Sequence, residues 1–226
     1  MPAGSVDLGQ RESADRARSL IESGRCDPAL FRNMLATVPP AARDTWVDRA
    51  LGLDAIPEDG PDLPRGCVPY LPCPVDALLR LIAHAPLGAA DVFVDVGSGL
   101  GRAAALVHLL TGAPAIGVEV QQAHVAASRA LAMRLRLRNV SFLSGDAAEI
   151  VPRLTAGTVF FLYCPFSGDR LAKLLADLEP IARIRPVRVC TVDLPLPPCP
   201  WLQVAPPLSQ DLSIHRSIGE LNPSTR

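Results

Sequence analysis

Two hydrophobic periodicities succeed one another along this chain. In the first fifty-odd residues apolar positions recur at helical spacing. Ala14, Ala17, Leu20 and Ile21 form one such run, which Gly24 stops. Asp27-Pro28 then supplies an N-cap and a first-turn proline, with Leu30, Met34, Leu35 and Val38 following on one face. A third helix is predicted over 40–51, turning Trp46, Val47 and Ala50 inward to join Phe31 in a small core. The stretch "DAIPEDGPDLPRG", residues 54–66, is acidic, rich in Pro and Gly, and aperiodic, which predicts a linker. Beyond it, short apolar runs alternate with helical ones. Strands are predicted at "DVFVDVG", "PAIGVEV", "VSFLSGD", "TVFFLYCP" and "VRVCTVDLP", and helices over 75–84, 100–110, 121–138 and 170–182, with a short one after Asp146. Such alternation means a parallel sheet with helices on both faces. "WLQVAPP" and "DLSIHRSI" then predict two closing strands, an antiparallel edge on that sheet. The expected organisation is a helical extension over 1–53 that could fold over a ligand as a lid, a linker over 54–66, and an α/β domain over 67–226.

Composition narrows the setting. With 226 residues, the chain is long enough for one ordinary domain with an extension. No apolar run reaches membrane-spanning length, and the first fifteen residues lack the basic patch and apolar core of a signal peptide. A cytoplasmic protein without a membrane partner is expected. A net charge of −1 makes a nucleic-acid partner unexpected. Lys173 is the single lysine among the 22 basic residues, a bias of composition. Cys26, Cys67, Cys73, Cys164, Cys190 and Cys199 show no C-x-x-C spacing, so buried free thiols are expected. His84, His108, His124 and His215 are scattered, and no metal is expected. Arg129, Arg134, Arg136 and Arg138 share one helical segment and read as a solvated face.

The chemistry gathers where "DVFVDVG" meets its helix. In open α/β sheets ligands bind outside the carboxyl ends of the strands. Glycines there let backbone approach a ligand, and a helix N-terminus offers N–H groups to an anion. Three acids close successive strands: Asp95, Glu119 and Asp146. Glu119, about twenty positions beyond the glycines, suits a ribose diol, and Asp146 suits an adenine amino group. Together they point to a bound adenosine. The dinucleotide fingerprint G-x-G-x-x-G is not met, because the third glycine of Gly97-Ser98-Gly99-Leu100-Gly101-Arg102 comes one position early. No G-K-[ST] of a P-loop occurs.

The stretch Val94-Asp95-Val96-Gly97-Ser98-Gly99-Leu100-Gly101 resembles the first motif of the class I S-adenosylmethionine-dependent methyltransferases, (hydrophobic)-D-x-G-x-G-x-G. The resemblance covers roughly residues 66–195. It implies a Rossmann-like, seven-stranded, mostly parallel sheet with a terminal antiparallel strand, and S-adenosyl-L-methionine as cofactor. It further implies that the turn at Asp95, Gly97, Ser98, Gly99 and Gly101 meets the methionine end, Glu119 the ribose, and Asp146 with Ala147 the adenine. After the fourth strand comes Tyr163-Cys164-Pro165-Phe166, where enzymes methylating exocyclic amino groups of bases carry [N/D/S]-P-P-[Y/F/W]. Tyr163 and Cys164 replace the polar residue and first proline of that pattern. Cys164-Pro165 reverses the Pro-Cys of cytosine C5 enzymes, and the acids of aminopropyltransferases are absent. "VPYLPCP", residues 68–74, resembles a segment of small protein-lysine methyltransferases related to the Dot1-type enzymes, with Cys73 in place of their Ser or Thr. This implies Tyr70 over the methionine end, and Tyr70, Tyr163 and Phe166 as the catalytic wall. The expected acceptor is a protein amine, a lysine; a small-molecule acceptor and a catalytically silent adenosine-binding module are the alternatives.

Overall fold

The computed structural model describes residues 3–53, 57, 60, 63, 66–205 and 211–218. Most of the predicted linker, and the loop between the two closing strands, lie outside the described residues. Four helices come first: α1 (Ala3–Glu22), α2 (Pro28–Ala36), α3 (Arg43–Leu51) and α4 (Val75–His84). Then β1 (Phe93–Val96), α5 (Arg102–Thr111), β2 (Ala115–Glu119), α6 (Gln122–Arg134), β3 (Val140–Ser144), α7 (Ala147–Ile150), β4 (Val159–Tyr163), α8 (Gly168–Ile184) and β5 (Arg188–Val192) alternate, and β6 (Leu202–Val204) and β7 (Leu212–Ser217) close the chain.

The helices begin and end where local chemistry dictates. Asp27 caps α2 by accepting from the Leu30 N–H at 2.8 Å, as its Asp-Pro pair predicts. Gly52 ends α3 in the left-handed conformation at φ 67°. The helix predicted over 121–138 stops early, because Arg136 takes φ 53° and turns the chain toward β3. Conversely α8 outruns its predicted 170–182 at both ends, running through Pro180 to Ile184.

The seven strands form one sheet in the order β3-β2-β1-β4-β5-β7-β6. β1 to β5 are mutually parallel, and β7 runs antiparallel to both β5 and β6. The two closing strands thus form the antiparallel edge expected, with β7, the last in sequence, set between β5 and β6. Leu212 and Ile214 of β7 are buried, whereas Gln203 and Val204 of β6 face solvent, so the strand with the apolar face takes the covered position.

Strand alternation sorts the core into two layers. Phe93, Phe161 and Cys190 face α4 and α5, while Val94, Val96, Phe160 and Leu162 face α7 and α8. The N-terminal helices belong to the first layer. Phe31, Trp46, Val47 and Leu51 share one continuous core with Leu78, Leu106 and Leu110. The Phe31 and Trp46 rings meet tilted, their centroids 5.8 Å apart. Polar ties reinforce the seam. Arg134 donates to the Leu51 and Gly52 carbonyls at 2.6 and 3.1 Å, and Arg129 to the Phe142 carbonyl at 3.0 Å. Half of the arginine cluster expected to be merely solvated thus joins elements. No helix among the described residues is long and apolar enough to cross a membrane.

Candidate active site

The carboxyl ends of β1, β2, β3 and β4 open into a cleft of about 640 Å³, open solvent included. It lies at the switch point of the strand order, where β1 stands between β2 and β4. The chain turns sharply here. From β1 it passes through Gly97, Gly99 and Gly101 at φ 77°, 51° and 80° before α5 begins. Space forbids side chains as firmly as backbone angle does. A Cβ on Gly99 would overlap the Tyr70 ring, and one on Gly97 would lie 2.7 Å from Pro165 Cβ.

The turn satisfies itself first. The Gly97 and Ser98 amides donate to the Val118 carbonyl at 2.9 and 3.0 Å, and the Gly101 amide to the Ser98 carbonyl at 2.8 Å. Glu119, buried at the end of β2, accepts from the Gly99 amide at 2.9 Å and, through its other oxygen, from the Gln121 amide at 2.8 Å. Each oxygen keeps a second lone pair for a ligand hydroxyl. Asp146 caps α7, accepting from the Ala148 amide at 2.9 Å, and pairs with Arg170 at 2.6 Å. Arg170 in turn lies 5.3 Å over the Phe166 ring.

Asp95 is set apart from these. It is 4% exposed, and its Oδ2 is buried without a hydrogen-bond partner among the described residues. Burial pushes its pKa up to about 7; a backbone hydrogen bond from Ala104 opposes the rise and Glu119 adds to it. A buried carboxyl oxygen without a partner is rare in a folded protein, and this one stands directly before the glycine turn.

The remaining wall is aromatic and apolar. Tyr70 meets His124 edge-on at 5.4 Å, and burial pushes its phenol up to about 12. Cys67 bridges Phe166 in antiparallel fashion, tying the segment before α4 to the loop after β4. Cys164 takes φ 45° and donates its thiol to the Val192 and Asp193 carbonyls at 3.5 and 3.1 Å. Burial raises that thiol's pKa, and Asp193 adds to the effect, which is the opposite of what a nucleophile requires.

Of the residues singled out in sequence, Tyr70, Gly97, Gly99, Glu119, Asp146, Ala147, Tyr163 and Phe166 line this one cleft. Asp95, Ser98 and Gly101 stand behind the turn, Gly101 against Phe142 and Ser98 against Gly117. Among the described residues, none of α1–α3 lines it. The described parts of the linker segment do reach it: Leu63 lines the cleft, and the Gly60 amide donates to Gln121 Oε1 at 2.7 Å. Sequence reasoning missed Cys67, Gln121, Arg170 and, just behind the turn, Arg102. Only Arg102 left a signal, as a cation in a helix's first turn, where the macrodipole disfavours it.

No protein-family model matches the chain, and no curated protein does. Solved structures match it. An RNA methyltransferase from Salinibacter ruber, in complex with S-adenosyl-L-homocysteine, is 24% identical over 68% of this chain and 97% of its own, with a TM-score of 0.52. The chain shares the fold of this enzyme. The putative methyltransferase yhhF of Escherichia coli is 16% identical over 72% of this chain and 91% of its own, at a TM-score of 0.53. A methyltransferase from Geobacter sulfurreducens is likewise 16% identical over 66% and 82%, at 0.52. At these identities the likeness is one of fold.

Proposed function

We propose that the chain is an S-adenosyl-L-methionine-dependent methyltransferase whose acceptor is a protein amine, a lysine side chain. One observation carries the cofactor: a glycine turn, Glu119 and Asp146 stand at the ends of three adjacent strands around one cleft, with the orphaned carboxyl of Asp95 beneath. The residues fit the group. Gly97 and Gly99 admit close approach, Glu119 has lone pairs left for a ribose diol, and Asp95 offers an acceptor to an amino group. Asp146 and Ala147 would meet the adenine. When bound, the cofactor supplies an electrophilic methyl on a sulfonium. The chain's own residues then have to align a nucleophile in line with that methyl and exclude water.

The acceptor follows from the wall. Tyr70, Tyr163, Pro165 and Phe166 present aromatic and apolar surface, and Tyr163 and Cys164 stand where the base-methylating pattern carries a polar residue and a proline. A narrow alkyl amine suits such a channel. Burial among these groups disfavours the ammonium, so the amine enters neutral and sheds a proton after it gains the methyl. Aromatic faces would also favour the sulfonium charge that the bound cofactor carries.

Methyl-labelled S-adenosylmethionine offered with lysine peptides, small amines and RNA in parallel tests this. Label on lysine peptides is the expected result. Label on RNA alone, the substrate class of the Salinibacter ruber neighbour, would overturn the acceptor, and calorimetry with no binding of S-adenosylhomocysteine would overturn the cofactor.

A further inference from the structure

Arg102 is a buried cation in a place that electrostatics disfavours. It occupies the first position of α5, directly after the glycine turn, and is only 3% exposed. Burial alone would lower its pKa, but Asp48 and Asp44 override that and hold it charged. Nε donates to Asp48 Oδ1 at 2.6 Å and Nη2 to Asp44 Oδ1 at 2.7 Å, both on α3. Nη1 donates to the backbone carbonyl of Cys73. Asp44 Oδ1 also accepts from the Val75 amide at 3.0 Å, at the start of α4.

These bonds meet at one end of the segment Cys67–Pro74. Its other end is the Cys67–Phe166 bridge. Between the two anchors Tyr70 presses on Gly99, while Val68 and Leu71 remain exposed. Three prolines, Pro69, Pro72 and Pro74, stiffen the strap and deny it regular backbone pairing. Its placement therefore depends on its ends together with the contacts of the Tyr70 ring with Gly99 and His124. A guanidinium is suited to the task, since its fixed fork serves three acceptors at once.

We propose that Arg102 is the positioning residue of the cleft: through the Cys73 carbonyl it sets the strap Cys67–Pro74, and with it Tyr70, over the glycine turn, and through Asp44 and Asp48 it makes that placement depend on α3. The consequence for turnover rests on the methyltransferase reading; the placement itself does not.

The test uses the full chain with Arg102→Lys, which keeps the charge but not the fork, and with Asp48→Asn, which leaves Arg102 in place. Hydrogen exchange is followed at the Cys67, Val68, Tyr70, Leu71 and Cys73 amides and compared with β1 and β4. About tenfold faster exchange in the strap, with the strands unchanged, is expected for Arg102→Lys, and a smaller change for Asp48→Asn. A second measurement uses a Tyr163→Phe background. Because the chain has two tyrosines, Tyr70 then titrates alone. With Arg102 present, absorbance near 295 nm should stay flat until the pH approaches about 12. In the Arg102→Lys variant Tyr70 should titrate near about 10, the value of a solvated phenol. If the substituted ammonium merely loses its proton at high pH or moves away, the weakened cation would push the phenol further up, so the direction separates a displaced strap from a changed charge. In labelling assays kcat should fall about tenfold while affinity for S-adenosylhomocysteine stays within about threefold. Unchanged strap exchange and an unchanged Tyr70 titration would overturn the proposal, as would acceleration spread evenly over strap and strands. Absence of methyl transfer from every variant would count against the methyltransferase reading and leave these two measurements to decide the role of Arg102.

Discussion

Asp95 and Glu119 differ in one respect that decides how each behaves. Glu119 has two backbone donors on its carboxylate, whereas Asp95 has an oxygen with none. Burial lifts the Asp95 carboxyl from 3.8 to about 7, so between those values the folded protein holds a proton that the unfolded chain has lost. Stability from this group is full below about pH 4 and is lost as pH rises through about 7, at up to roughly 1.4 kcal/mol per pH unit. Urea unfolding at about pH 5 and about pH 7.5 should show a steeper decline for the natural protein than for Asp95→Asn. The ligand's ammonium favours the ionised form, so S-adenosylhomocysteine affinity should rise across the same interval and lose that rise in Asp95→Asn. Equal pH slopes in the two proteins would place the orphaned carboxyl outside the binding site. Glu119→Ala should weaken the ligand by roughly 1.5–3 kcal/mol, the worth of charged hydrogen bonds, and should also loosen the turn through the Gly99 amide. Asp146→Ala should cost mainly the cap of α7, about 1 kcal/mol of stability. Calorimetry paired with denaturation separates the two, and equal losses of affinity would show their roles to be misassigned.

At the scale of elements, the glycine turn works by contact on both sides. Tyr70 touches it from the strap and Pro165 from the loop after β4. Gly99→Ala meets two obstacles, a left-handed backbone at φ 51° and a ring in the space the new Cβ would take. The backbone alone costs about 1–2 kcal/mol. The ring must also move, so S-adenosylhomocysteine binding should fall well beyond what the stability change explains. Restored binding in Gly99→Ala combined with Tyr70→Ala would confirm the steric cause, and undiminished binding in Gly99→Ala alone would refute it. The strand and helix beside this turn were legible in sequence because alternation and helical period are local signals. The strap was legible only as a motif. That Tyr70 lies on Gly99 depends on two anchors, Phe166 and Arg102, remote from it in sequence.

Across the whole molecule, the N-terminal helices share one buried cluster with α4 and α5. Trp46 is buried in α3, and Trp201 is buried beside β6 against α8. Single-tryptophan variants, Trp46→Phe and Trp201→Phe, should report the same unfolding midpoint, since the two core layers they probe are packed on one sheet and unfold cooperatively. An earlier transition at Trp46 would mark a separable lid. S-adenosylhomocysteine at a hundred times its Kd should stabilise the native state by about 2.7 kcal/mol, roughly 5–10 °C in Tm. Both tryptophans should follow that shift together. A shift seen at Trp201 alone would mean that the ligand couples to the sheet and not to the helices.

By itself the sequence determined which segments are strands and which are helices, where most of them start, and which acids close the strands. Those properties arise from period, capping residues and glycine punctuation, all set within a few neighbours. The sheet order was beyond it: two closing strands were evident, but β7 enters between β5 and β6 because its buried Leu212 and Ile214 need cover on both sides. Arg102 is the clearest case. Its partners lie 29, 54 and 58 positions away, and only packing α3 and the strap against α5 brings them together around one buried charge.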